Sequence, residues 1–92
     1  MTGPADRPRL AEKARLRADR RTGGWLLLYP ERGLALNASA VDVVRLLTGE
    51  HTVSAIVDRL AGAQGAAPRD VVERDVVLFL DGLAARGLLT AT

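Results

Sequence analysis

The sequence predicts one small α+β domain: a three-stranded antiparallel meander followed by a three-helix bundle, βββααα. Three observations carry that prediction. Residues 13–19 alternate strictly between polar and apolar side chains, as a half-buried strand does. Glycine and proline then divide residues 20–36 into two further short apolar runs. At Asn37 the apolar period changes from 2 to 3.6 and stays there. With 92 residues, 48% of them hydrophobic, the chain can bury one modest core.

The elements follow in order. Residues 1–9 hold both early prolines and little apolar material, which predicts a flexible lead-in before a single domain over 10–92. In the first strand Ala14, Leu16 and Ala18 face one way, and Lys13, Arg15, Arg17 and Asp19 the other. Gly23 and Gly24 supply a turn, and Trp25 to Tyr29, apolar on both faces, reads as the central strand. Pro30 to Gly33 forms the next turn and Leu34 to Leu36 the third strand. Asn37 suits the N-cap of a helix from Ala38 to about Thr48, with Gly49 as its stop. Thr52 caps a second helix, Val53 to Ala61, and Pro68 opens a third that carries Val72, Val76, Phe79, Leu80 and Leu83 before Gly87. Leu88 and Leu89 are expected to fold back on its last turn.

Catalytic equipment is sparse. There is no cysteine, which excludes disulfides, thiolate-bound metal and a cysteine nucleophile. His51 is the one imidazole and sits in a predicted turn, so no metal site and no cofactor is expected. Neither Ser39 nor Ser54 has the strand-to-helix setting of a nucleophile elbow. No apolar run approaches the roughly 20 residues of a membrane helix. A non-catalytic, cytoplasmic binding protein is the expectation, with no membrane partner.

Charge separates two binding readings. Residues 1–21 carry seven basic and three acidic groups, a net +4, and the rest a net −2. A winged-helix-like DNA binder needs cationic helices, because phosphate neutralisation dominates its affinity. In the second helix Asp58 cancels Arg59; in the third, Asp70, Glu73, Asp75 and Asp81 outnumber Arg69, Arg74 and Arg86. DNA binding becomes the alternative, and no nucleic-acid partner is expected. The other reading is peptide capture: an open sheet edge beside a helix accepts an added strand. The same edge can pair with a second copy, giving a strand-exchanged homodimer.

The run Leu27-Leu28-Tyr29-Pro30-Glu31-Arg32-Gly33-Leu34-Ala35-Leu36-Asn37 resembles the signature of the pyrroloquinoline quinone (PQQ) synthesis protein D family, PqqD. Leu46-Leu47-Thr48-Gly49, Thr52 to Val57 and Gly87-Leu88-Leu89 continue the resemblance, which spans residues 13–89. Thr48 departs from the acidic residue often found before the turn glycine in the family. The resemblance implies a RiPP recognition element, a chaperone that binds the ribosomal precursor peptide PqqA and presents it to the radical S-adenosylmethionine enzyme PqqE. It implies a leader peptide added beside the third strand and along the third helix. Carried onto this chain, those positions are Gly33, Leu34, Ala35 and Leu36 on the edge, and Arg69, Val72, Glu73 and Val76 on the helix. Val72 and Val76 are divided evenly between groove and core. Arg15 and Arg17 are candidates for docking an acidic surface of the enzyme.

Overall fold

The computed structural model describes residues 2–30, 32–63 and 65–91. Five strands and three helices follow the order β1 (Pro8–Leu10), β2 (Arg15–Ala18), β3 (Trp25–Tyr29), β4 (Arg32–Leu36), α1 (Ala38–Arg45), α2 (Val53–Ala61), α3 (Arg69–Ala85) and β5 (Leu89–Ala91). The expected meander is the sheet β2-β3-β4, with β3 in the middle and all pairs antiparallel. The chain is α+β as expected, but its strands number five among the described residues, not three.

The additional pair corrects the reading of residues 1–9. Their described part is packed against the body, where a lead-in had been expected. Pro8 is fully buried, and β1 pairs with β5 through Pro8–Ala91, Arg9–Thr90 and Leu10–Leu89. The carbonyls of Pro4 and Asp6 accept from the N–H groups of Ser54 and Val53 at 3.0 and 2.9 Å. Those are the first donors of α2, which no intrahelical carbonyl can satisfy. At the far end Thr2 donates from its backbone N and its Oγ1 to Asp81 Oδ1 at 3.2 and 2.6 Å. The domain boundary expected at residue 10 therefore cuts through a strand. Met1 lies outside the described residues.

The helix caps form as the sequence suggests. Asn37 Oδ1 accepts from Ala40 N at 2.8 Å, and Thr52 Oγ1 from Ala55 N at 3.1 Å. Helix α1 stops earlier than expected, at Arg45, because Leu46 and Leu47 tighten into 3₁₀-type bonds to Val43 and Val44. Gly49 is thus no cap for α1. Its φ of +84° turns the chain so that its N–H reaches Pro8 O at 3.1 Å.

Gly87 does end α3. The N–H of Gly87 bonds Ala84 O at 3.0 Å and that of Leu88 bonds Leu83 O at 2.9 Å, the paired arrangement of a Schellman motif. Leu88 folds back into the core as expected, whereas Leu89 leaves to begin β5. Because Gly87 has φ +72°, alanine there should cost about 1–2 kcal/mol of stability. Urea denaturation of Gly87→Ala measures this, and an unchanged midpoint would contradict it.

One face of the three-stranded sheet meets the helices. Leu27 is fully buried, with Trp25, Tyr29, Leu16, Leu34 and Leu36 beside it on that face. Val41, Val43, Val44, Ile56, Val57, Val76, Leu80 and Leu83 close the core from the helical side. Leu26 and Leu28 alternate to the outer face, between Arg17 and Ala35 and between Arg15 and Gly33 respectively.

Candidate functional site

The phase of hydrogen bonding across the sheet determines what the β4 edge offers. Tyr29 faces Arg32 across a two-residue connection, which makes them a hydrogen-bonded pair; Glu31, expected in that turn, lies outside the described residues. Alternation then points the backbone groups of Arg32, Leu34 and Leu36 toward β3, and those of Gly33 and Ala35 away from it. The opposite hairpin agrees: Asp19 N donates to Gly24 O at 2.8 Å, so Leu26 and Leu28 bond to β2 and leave Trp25, Leu27 and Tyr29 for β4. Strand β4 is an edge, and Gly33 and Ala35 are both exposed.

Beside that edge lies a groove of about 310 Å³, lined by Leu34, Ala35 and Leu36 on one side and by Leu78, Phe79, Gly82 and Arg86 on the other. Leu78 is 63% exposed, the one large apolar side chain so open among the described residues. Gly82 keeps the helical wall low, and Arg86 Nη1 folds back to donate to Gly82 O at 3.1 Å. The arrangement offers outward main-chain donors and acceptors next to an apolar slot, which suits an extended chain more than a compact solute.

The predicted site residues separate into groups. Gly33, Leu34, Ala35 and Leu36 lie together on β4 as expected. Val76 is 3% exposed and belongs to the core, although it also reaches a trough between α1 and α3. Val72 is half-buried and faces a pocket farther along α1. Arg69 and Glu73 are not at the groove: they line a separate cleft with Thr2, Pro4, Val53 and Ser54. There Arg69 Nε donates to Asp58 Oδ1 at 3.2 Å and Nη1 to Glu73 Oε2 at 3.0 Å, a clamp between α2 and α3. The hydrogen bond to Asp58 pushes the Arg69 pKa up. Arg15 and Arg17 project from β2 on the outer face, away from the groove, and neither has an ion-pair partner among the described residues.

Sequence reasoning missed Leu78, Phe79 as a groove residue, Gly82 and Arg86. A signal existed: Leu78 stands outside the inward-facing apolar series Val72, Val76, Leu80 and Leu83, an apolar residue with no core to enter. Among the described residues no three His, Cys, Asp or Glu side chains gather as a metal site, and no helix is long and apolar enough to cross a membrane.

Known proteins are similar to this chain in sequence and architecture. The profile of the family described as coenzyme PQQ synthesis protein D (PqqD) matches residues 24–89. A PqqA binding protein of Bradyrhizobium diazoefficiens is 43% identical over 97 residues, covering 98% of this chain and 93% of its own. The solution NMR structure of the PqqD part of Methylobacterium extorquens PqqCD, a stand-alone RiPP recognition element, superposes with a TM-score of 0.82 at 36% identity and covers 98% of this chain and 95% of that one. The crystal structure of PqqD from Xanthomonas campestris gives 0.60 at 31% identity, covering 88% and 89%. With its profile match, its relatives and its fold in agreement, the chain belongs to the PqqD family.

Proposed function

We propose that this protein is a non-catalytic peptide chaperone of PQQ synthesis that binds the precursor PqqA by adding it as a strand to β4. The observation that carries this reading is the pair of outward backbone positions, Gly33 and Ala35, set beside the apolar groove that Leu78 and Phe79 line. The PqqA binding protein of Bradyrhizobium and the Methylobacterium recognition element support it from outside the chain. Presentation to the radical enzyme PqqE extends the proposal. A chain with no cysteine supplies no thiolate for an iron–sulfur cluster, so that chemistry falls to the partner. A reducing, cytoplasmic setting suits the same composition.

The test is titration of a fluorescent PqqA peptide at several salt concentrations. Strand addition rests on uncharged main-chain bonds, so saturable binding with a shallow salt slope is expected. The alternative, a winged-helix-like DNA binder, requires duplex binding with a steep salt slope that disappears when Arg15 and Arg17 are neutralised. That result would overturn the proposal.

Arg15 and Arg17 are proposed to dock an acidic surface of the enzyme, since they lie on β2, the edge of the sheet opposite the β4 groove. Reversing both charges is expected to abolish co-purification with the enzyme at unchanged peptide affinity. Loss of peptide affinity instead would place them in the peptide site. Without peptide, the β4 edge is open to a second copy, and a concentration-independent monomer in sedimentation would contradict strand exchange.

A further inference from the structure

We propose that the peptide track runs on past Leu36, between α1 and α3, into a second anchor pocket that takes an apolar side chain of the same bound peptide. The inference rests on the strand-addition reading and extends it to a specificity site. The groove at β4 shares Asn37, Ala40, Leu78 and Phe79 with a trough of about 380 Å³ that adds Ser39, Asp75 and Val76. That trough in turn shares Ser39 and Asp75 with a wider concavity of about 580 Å³. The three concavities follow one another along α1 and α3, each sharing wall residues with the next.

The end pocket has the chemistry of an apolar anchor. Its floor is Leu46, Leu60 and Val72, each half-buried at the margin of the core. Its outer wall includes Gly65, Ala66 and Ala67, residues too small to cover that floor. Around the rim stand Asp42, Arg45, Arg59 and Asp75, two charges of each sign. A balanced rim selects no net charge; it offers donors and acceptors to the peptide main chain while an apolar side chain fills the floor. Arg45 is held in place there, with its guanidinium carbon 5.0 Å from the centroid of the Trp25 ring. From Ser39 to Leu46 helix α1 rises about 10 Å, which an extended peptide covers in roughly three residues. The second anchor should therefore lie about three to five residues beyond the segment paired with β4.

Ala66→Trp tests this by filling the pocket from its exposed wall. Two peptides are titrated: full-length PqqA, and a version trimmed from either end to the segment that pairs with β4. Full-length peptide should lose about tenfold in affinity for the variant, the scale of one buried apolar side chain. The trimmed peptide should bind variant and parent equally, which also reports that the variant is folded. Ala67→Trp repeats the test at the neighbouring position. If full-length peptide binds both variants as tightly as the parent, the second anchor is overturned while strand addition stands. If Ala35→Pro leaves both peptides unaffected, the strand-addition reading itself has failed.

Discussion

Replacing Ala35 by proline should reduce peptide affinity at least tenfold while leaving the domain folded. The two effects separate because of the phase of the sheet. Ala35 faces Leu26 in a non-hydrogen-bonded pair, so its N–H is not used by β3. Proline is tolerated on an edge strand when the missing donor points outward. Against the peptide the same ring removes one hydrogen bond, about 1 kcal/mol net, and sets its Cδ where the added strand must approach. Leu34→Pro is the contrasting variant, because the Leu34 N–H faces Leu27 within the sheet and its loss should lower stability directly. Calorimetric titration beside a thermal melt distinguishes the two. An Ala35→Pro protein that binds peptide like the parent would remove β4 as the site.

Deleting residues 2–10 is expected to bring the domain close to unfolding at room temperature. The segment carries one side of four backbone hydrogen bonds to the body: Leu10 N to Leu47 O, Gly49 N to Pro8 O, Val53 N to Asp6 O and Ser54 N to Pro4 O, at 2.9–3.1 Å. At about 1 kcal/mol each these bonds contribute roughly 4 kcal/mol. Buried Pro8, half-buried Leu10 and the pairing of β5 add to that. A small domain has only about 5–15 kcal/mol in all. Circular dichroism through a thermal ramp checks the expectation; a melting curve that matches the full chain would contradict it.

What the sequence made legible is what depends on local pattern. Alternation at residues 14–18, the Asn37 and Thr52 caps, the Gly87 stop and the apolar series of α3 each have a short-range cause, and each reappears in the fold. The β1–β5 pair was not legible. It joins residues about 80 apart, its strands span three residues each, and one opens with proline, so neither shows a period. Gly49 misled for a related reason: a glycine after a helix reads as a cap, yet its positive φ serves a contact with Pro8 that only the folded chain reveals.

The site was legible in part by the same logic. The meander predicts an open outer strand, and the family resemblance singles out Gly33 to Leu36 on it. Which turn of α3 lies opposite them depends on how the helix crosses the sheet, and that is a tertiary quantity. The crossing brings Leu78, Phe79 and Gly82 to the edge and carries Arg69 and Glu73 to the far side, where Arg69 donates to both Asp58 and Glu73.

Hydrogen exchange at individual amides of β4 tests strand addition most directly. In the free protein the Leu34 and Leu36 amides, bonded to β3, should already be protected, while those of Gly33 and Ala35 exchange rapidly. Saturating PqqA peptide should slow Gly33 and Ala35 strongly and change Leu34 and Leu36 far less. Rapid exchange persisting at both Gly33 and Ala35, in a protein shown to be saturated with peptide, would contradict binding by an added strand.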